Sequence, residues 1–188
     1  MDIYNTYSAT SGIKEDKSQL EILDALSALQ TNLIASKNNA SFIQKYLRSN
    51  VPNKGIYLWG DVGRGKTFLM DLFYNTLDLK KKRRVHFHRM MKEIHSKLTT
   101  VSNTKDPMSA ITQRISEDID VLCFDEFFVE DIADAMLLFK FLEGLFKRGV
   151  TLVATSNTHP NNLYKNGLQR ERFSPAIDLI NANTEIIN

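Results

Sequence analysis

The residues with the clearest chemistry belong to a glycine-rich run that starts at Gly60. The run is Gly60-Asp61-Val62-Gly63-Arg64-Gly65-Lys66-Thr67, followed by Phe68, and it has the spacing G-x-x-x-x-G-K-[ST]. In such a loop the backbone N–H groups surround a polyphosphate, Lys66 reaches the β and γ phosphate oxygens, and the Thr67 hydroxyl ligates Mg²⁺. The start of the helix predicted for residues 66–77 adds further N–H groups for an anion. We therefore predict that residues 60–68 bind a nucleotide with Mg²⁺, although this motif alone does not separate ATPases from GTPases, kinases or binding proteins.

Two carboxylates, Asp125 and Glu126, follow the apolar run of residues 121–124. One carboxylate beside Mg²⁺, directly or through water, fixes the metal that bridges the phosphates, and a second can polarise an attacking water. We assign the first role to Asp125, as a metal ligand, and the second to Glu126. Nucleotide kinases and GTPases generally need no such glutamate, so the pair favours ATP hydrolysis. The alternative is a solvated acidic turn after a core strand.

Asn157 follows a second apolar run, residues 150–155. If that strand lies between the strand before Gly60 and the strand before Asp125, the Asn157 amide can donate to the γ-phosphate and accept from the attacking water. We therefore predict a catalytic role for Asn157. An ordinary turn residue is the alternative, since Asn and Ser are common after strands.

Arg170 and Arg172 are candidates for a further catalytic role. An arginine supplied to the γ-phosphate of a neighbouring subunit stabilises charge in the transition state and raises turnover roughly 10³- to 10⁵-fold. We favour Arg172, because Phe173 can anchor its backbone in the core. Surface pairing with Glu171 or Asp178 is the alternative for both arginines.

A functional role is less strongly indicated for His88 and for the five cations of residues 80–84. We place His88 at the end of a strand, where it can hold Glu126 in an unproductive position, and a histidine that only packs there explains it equally well. We interpret residues 80–84 as a solvated loop. Contact with the phosphate backbone of a nucleic acid is the less favoured alternative.

An alternation of helices and strands positions these residues. Predicted helices cover residues 18–35, 41–49, 66–77, 89–100, 107–117, 131–147 and 174–183, and predicted strands cover 55–59, 85–88, 121–124, 150–155 and 185–188. Strands separated by helices form a parallel sheet with both faces covered, and ligands bind at the carboxyl ends of its strands. We divide the chain into a flexible N-terminus (1–17), an N-terminal helical segment (18–54) and an α/β nucleotide-binding core (55–188).

The composition agrees with a globular intracellular protein. The chain of 188 residues has 24 basic and 22 acidic residues, which argues against a constitutive nucleic-acid coat. Cys123 stands alone within an apolar run, which indicates a buried, reduced thiol. No apolar segment approaches the ~20 residues that cross a bilayer, and residues 1–16 lack the order of a signal peptide. We therefore expect a cytoplasmic protein, with room for peripheral attachment at a larger assembly.

Several longer blocks of sequence resemble one family. They are residues 55–74, His86-Phe-His-Arg89, residues 122–129 with 131–136, Thr155-Ser-Asn157, and residues 163–164 with 167–178. On these blocks, from residue 55 to the last residue, the chain resembles the AAA+ ATPases of the ZapE and LACE type, which belong to bacterial cell division and to mitochondria.

The resemblance implies a fold, an activity and partners. The fold is a three-layer α/β/α P-loop NTPase of the AAA+ type, with a five-stranded parallel sheet in the order 5-1-4-3-2. The implied roles are Walker A for Lys66 and Thr67, Walker B for Asp125 and Glu126, sensor 1 for Asn157, and arginine finger for Arg172 or Arg170. Hydrolysis of ATP with Mg²⁺, ATP-dependent homo-oligomers, and action at the bacterial division ring through its tubulin-like GTPase, FtsZ, are implied as well.

Two further expectations concern the whole protein. Members of that family continue into a helical lid, which is absent from this sequence, so we interpret the chain as an N-terminal portion. The competing hypothesis about function is a nucleotide-switched adaptor, similar to a helicase loader, in which turnover is incidental.

Overall fold

The computed structural model describes residues 3–10, 17–38, 53–101 and 104–188. Helices in this part are α1 (Ile3–Thr10), α2 (Lys17–Asn38), α3 (Lys66–Thr76), α4 (Phe87–Thr100), α5 (Pro107–Asp118), α6 (Ile132–Phe146) and α7 (Arg170–Asn183), with a 3₁₀ turn at Pro160–Asn162. Strands are β1 (Gly55–Trp59), β2 (Lys82–His86), β3 (Val121–Asp125), β4 (Thr151–Ser156) and β5 (Thr184–Ile187). The helix predicted for residues 41–49 lies outside the described residues.

The five strands form one parallel sheet in the order β2-β3-β4-β1-β5. Counted from the β5 edge this is 5-1-4-3-2, as the resemblance implies. Strand β4 therefore lies between β1 and β3, which is the position that the chemistry of Asn157 requires. Because the strands are parallel, the loops after β1, β3 and β4 emerge side by side at one edge of the sheet.

Helices cover both faces of the sheet, and its side chains alternate between two cores. Tyr57 and Phe124 face a core formed with α4, α5, α6 and α7. Ile56 and Cys123 face a second core formed with α1, α2 and α3. Burial on both faces explains why β1, β3 and β4 are continuous apolar runs rather than alternating ones. Burial also raises the pKa of the Cys123 thiol to about 12, which agrees with the predicted buried thiol.

Residues 3–10, which lie within the segment predicted to be a flexible N-terminus, form α1. Ile3 and Tyr7, one helical turn apart, are buried against the core that contains α3. This helix could not be predicted from the sequence, because two buried apolar side chains in a largely polar segment give only a weak periodic signal.

The predicted solvated loop of cations is wrong, because residues 82–86 form β2 at the edge of the sheet. Four of the cations make contacts within the chain. Lys81 Nζ donates to Glu117 O (2.6 Å), Lys82 Nζ donates to Leu77 O (2.7 Å), Arg83 pairs with Glu93, and Arg84 pairs with Asp71 and Asp125. Side chains of an edge strand remain partly exposed, so their polarity resembles that of a loop.

Two element boundaries change the position of candidate residues. Strand β2 ends at His86 and α4 begins at Phe87, so His86, and not His88, stands at the end of the strand. Helix α7 begins at Arg170, before the predicted start at residue 174, which places Arg172 in its first turn. Within the described part of the chain, no helix is long and apolar enough to cross a membrane.

Candidate functional site

The loop between β1 and α3 has a backbone that depends on its glycines. Gly63 and Gly65 have φ of 85° and 80°, and Gly65 precedes the first turn of α3. This left-handed region is open to glycine at little cost but disfavours residues with a Cβ atom. The loop can therefore direct consecutive N–H groups towards one anion, together with those at the start of α3.

Lys66 lies across this loop. Its Nζ donates to Gly60 O at 2.7 Å and to Asp61 O at 2.8 Å. Burial lowers the pKa of Lys66, while the Asp61 carboxylate opposes that shift and Arg64 adds to it. The ammonium group is thus held beside the backbone that would surround a phosphate.

An open cavity of about 460 Å³ adjoins the loop. It is lined by residues 62–68, by Glu126, and by residues 155–157. The volume is within the range of ligand pockets, roughly 300–1,000 Å³. The fold therefore brings together three segments that sequence analysis had singled out separately: the glycine-rich loop, Glu126 and Asn157.

Glu126 lies immediately after β3 in a strained backbone conformation. Its φ is +53°, a region that costs a non-glycine residue roughly 1–3 kcal/mol. Contacts to β4 compensate, since Glu126 N donates to Thr155 Oγ1 (3.3 Å) and Phe127 N donates to Thr155 O (2.7 Å). The Glu126 side chain is 77% exposed, so its carboxylate is open to solvent at the cavity.

The segment that carries Asn157 is fixed by its neighbours. Ser156 Oγ donates to Phe127 O (2.6 Å) and accepts from Thr158 N (3.0 Å). The Tyr57 hydroxyl of β1 donates to Thr158 O at 2.9 Å. Asn157 itself is exposed at the cavity. No role for Tyr57, Thr155 or Ser156 was predicted from the sequence. The hydroxyl side chains of Thr155 and Ser156, directly before Asn157, could have indicated that hydrogen bonds fix this segment.

Asp125 does not line the cavity; it is buried behind Glu126 and paired with Arg84. Its Oδ2 accepts from Arg84 Nε at 2.6 Å and its Oδ1 accepts from Arg84 Nη2 at 3.1 Å. A carboxylate oxygen offers two lone pairs, so among the described residues each Asp125 oxygen still has one free. The Asp125 carboxylate and the exposed Thr67 hydroxyl are oxygen donors of the kind that Mg²⁺ prefers, and they therefore fit a hydrated Mg²⁺ ion.

Comparison with known proteins gives the family. The profile of the AFG1-like ATPases matches residues 2–188. The chain belongs to this family.

Curated AFG1-like relatives are much longer than the chain. It is 55% identical over 139 residues to the cell division protein ZapE of Escherichia coli K12. The aligned region covers 74% of the chain and 37% of that protein. It is 43% identical over 148 residues to the lactation elevated protein 1 homolog B of Danio rerio. That aligned region covers 73% of the chain and 29% of the relative. The chain therefore spans between a quarter and two fifths of the length of these relatives.

Solved structures with low sequence identity share the fold of this AFG1-like chain. The DnaI structure superposes with a TM-score of 0.64 at 16% identity, covering 96% of the chain and 88% of DnaI. The DnaC helicase loader superposes with a TM-score of 0.59 at 14% identity, covering 93% of the chain and 92% of DnaC. AMPPCP-bound DnaA from Aquifex aeolicus gives 0.60 at 13% identity, covering 94% of the chain and 48% of DnaA. At these identities the similarity establishes the fold alone.

The two candidate arginines of the AFG1-like chain do not line the cavity. Arg170 Nη2 donates to Asn161 O (2.9 Å), and its guanidinium lies 5.7 Å from the centroid of the Phe173 ring. Arg172 is exposed, beside the fully buried Phe173. An action of Arg172 on a neighbouring subunit therefore remains a prediction, and Arg170 already has a structural role.

The N-terminal helices pack against the glycine-rich loop of the AFG1-like chain and the helix that follows it. The rings of Tyr7 and Phe68 lie 6.1 Å apart, and the Tyr7 hydroxyl donates to Gln19 Oε1 at 3.1 Å. A Cβ atom placed on Gly65 would lie 3.1 Å from Gln19 Nε2. Sequence analysis missed this contribution because it treated residues 1–17 as flexible.

Proposed function

We propose that the chain is the nucleotide-binding portion of an AAA+ protein that binds and hydrolyses ATP. The observation that supports this best is the shared cavity, in which a phosphate-binding loop faces Glu126 and Asn157. A binding protein needs the loop, but it does not need a carboxylate and an amide opposite the terminal phosphate. The combination therefore favours hydrolysis over binding alone.

In the proposed reaction, residues of the loop bind the phosphates and Glu126 acts on water. Lys66 exchanges its two carbonyl acceptors for phosphate oxygens, which concentrates positive charge where negative charge develops. Glu126 accepts a proton from the water that attacks the γ-phosphorus, and ADP leaves with the electrons of the broken bond. The Asn157 amide orients that water and the γ-phosphate. When bound through Thr67 and Asp125, Mg²⁺ would neutralise phosphate charge.

For the cellular role we propose action at the bacterial division ring, in the cytoplasm. The support is the 55% identity to the cell division protein ZapE. The proposal includes ATP-dependent homo-oligomers and the tubulin-like GTPase FtsZ as the partner. Because the chain spans only 37% of that relative, these properties are proposed for the full-length protein.

The helicase-loader hypothesis receives less support. Similarity to DnaI and DnaC concerns the fold alone, at 16% and 14% identity. Among the cations that could contact nucleic acid, Lys81, Lys82, Arg83 and Arg84 are engaged within the chain. Their charge is therefore less available to phosphates of a nucleic acid.

The test compares Glu126→Gln with Glu130→Gln, a matched change of an exposed glutamate in the same loop. Binding of a fluorescent ATP analogue and release of phosphate are measured for both variants. We expect parental nucleotide affinity in both, loss of hydrolysis in Glu126→Gln, and parental hydrolysis in Glu130→Gln. Parental turnover in Glu126→Gln would show that Glu126 is not the catalytic base, and a parent that binds the analogue without releasing phosphate would remove the hydrolase assignment.

The same variant identifies the partner. Full-length Glu126→Gln protein loaded with ATP, and its parent, are incubated with FtsZ or with single-stranded DNA. We expect the variant to retain FtsZ. Retention of DNA in place of FtsZ, with hydrolysis stimulated by DNA, would favour the loader hypothesis.

A further inference from the structure

Arg84 connects three elements at the candidate site. It lies on β2, opposite Cys123 of β3 in the parallel register, and Asp125 is two residues further along β3. Residues two apart on a strand share a face, so Arg84 and Asp125 are diagonal neighbours on the same face of the sheet. The third element is α3, whose Asp71 accepts from Arg84 Nη1.

The contact between Arg84 and Asp125 is a two-pronged, largely buried ion pair. The side chains of Arg84 and Asp125 are only 20% and 11% exposed, and the two hydrogen bonds use both oxygens of the carboxylate. A planar guanidinium fixes the plane of a carboxylate in this arrangement, which a lysine ammonium does not. Burial opposes the charged form of Arg84, but the hydrogen bonds to Asp125 and Asp71 outweigh it and raise the pKa of the guanidinium.

We propose that Arg84 is a positioning residue of the nucleotide site, which holds the carboxylate of Asp125 in the orientation that accepts a hydrated Mg²⁺ ion. Through Asp71 it also ties that orientation to α3, the helix that carries Lys66 and Thr67 at its start. This inference rests on the proposed binding of nucleotide with Mg²⁺. It assigns Arg84 no contact with ATP.

A second arginine on the same strand offers a matched control. Arg83 points to the opposite face of β2 and pairs with Glu93 of α4, away from Asp125. Arg83→Gln and Arg84→Gln each remove one guanidinium from the same edge strand. If Arg84 only stabilised the fold, the two variants would affect the nucleotide site alike.

The experiment measures metal binding separately from activity. For the parent, Arg84→Gln, Arg84→Lys and Arg83→Gln, the affinity for Mn²⁺ in the presence of a non-hydrolysable ATP analogue is measured by electron paramagnetic resonance. Affinity for the fluorescent analogue in EDTA and the midpoint of thermal unfolding are measured on the same samples. Residues that orient a metal ligand typically change metal affinity by about 10- to 100-fold when replaced.

We expect Arg84→Gln to weaken Mn²⁺ binding about tenfold or more, with parental affinity for the analogue in EDTA. Arg84→Lys keeps the charge but loses the planar fork, so it should also bind Mn²⁺ more weakly than the parent, and Arg83→Gln should match the parent. Should Arg84→Gln fail to fold, Arg84→Lys and Asp71→Asn decide the question. Parental Mn²⁺ affinity in the folded Arg84 or Asp71 variants would overturn the positioning role. A parent that binds neither analogue nor Mn²⁺ would instead refute the proposed function.

Discussion

Nδ1 of His86 lies 3.7 Å from Oε2 of Glu126. This nitrogen is buried and has no hydrogen-bond partner within the described residues. A small rotation of the exposed Glu126 side chain would bring the two groups into contact. The structure thus assigns to His86 the position that sequence analysis had given to His88.

Replacing His86 tests whether this contact restrains the Glu126 carboxylate, the proposed catalytic base. We expect His86→Ala to raise basal ATP hydrolysis, because Glu126 loses a group that can draw it away from the cavity. The increase should be at most about fivefold, since a contact between partly exposed charged groups is worth roughly 1 kcal/mol or less. Steady-state kinetics of phosphate release, separated into kcat and KM, measure it. His88→Ala is the control, because His88 is exposed on α4; equal effects in both variants would speak against the contact.

Removal of the loop lysine should strongly weaken nucleotide binding. Lys66→Ala loses the ammonium group that would contact the β and γ phosphates, and a charge-assisted bond of about 1.5–3 kcal/mol corresponds to roughly 10- to 160-fold in affinity. Burial lowers the pKa of Lys66 below its ordinary value of 10.5. As the pH rises, the parent should therefore begin to lose nucleotide affinity at a lower pH than it would with an unperturbed lysine. Titration with a fluorescent ATP analogue measures both effects. Lys92→Ala, an exposed lysine on α4, should bind like the parent, and tight binding by Lys66→Ala would contradict the assignment.

Arg172 should act on the nucleotide of a neighbouring subunit. In a full-length relative, the change equivalent to Arg172→Ala should keep ATP binding and lose hydrolysis, because the exposed guanidinium lies outside the cavity of its own subunit. Mixing with subunits that carry the Lys66→Ala change should restore part of the activity, since each variant supplies what the other lacks. Co-assembled mixtures without any rescue would exclude this role. The equivalent of Arg170→Ala is the comparison, since Arg170 contacts Asn161 O within its own chain.

Glu93 should contribute to stability at neutral pH but not in strong acid. Hydrogen bonding to Arg83, opposed by burial and reinforced by Lys97, lowers the pKa of Glu93 from 4.5 to about 2. The folded state therefore favours the ionised form, and this contribution is present above pH 4.5 and is lost as pH falls towards 2. Glu93→Gln should lower the stability by about 1 kcal/mol at pH 7, roughly 2–4 °C in the unfolding midpoint, with a smaller difference at pH 3.

Thermal unfolding of the parent and Glu93→Gln between pH 3 and pH 7 measures this difference. Glu143→Gln is the control, because Glu143 of α6 forms a more exposed ion pair with Lys147, the residue directly after that helix. A difference between parent and Glu93→Gln that is constant across this pH range would show that the charge of Glu93 does not cause it.

Much of the fold and of the candidate site could be predicted from local sequence. The glycine-rich loop depends on residues that are consecutive in the chain, and strands such as β3 and β4 are recognisable because burial on both faces requires a continuous apolar run. Polar residues directly after such runs, Glu126 and Asn157, had to meet at one edge once the strands were parallel. The confirmed helix at 107–118 likewise begins with a local signal, Pro107 at its first position.

Tertiary structure alone decided which cations and histidines belong to the site. Arg84 meets Asp125 only because β2 pairs with β3 in a register that aligns His86 with Asp125, and pairing between distant strands leaves no trace in the spacing of nearby residues. An edge strand of partly exposed Lys and Arg has the composition of a loop, so local pattern could not distinguish the two. The burial of Ile3 and Tyr7 against the core containing α3 could not be predicted from the sequence either. Local sequence therefore determined most of the buried elements and the residues that could do chemistry, whereas the pairing of distant elements determined which side chains support them.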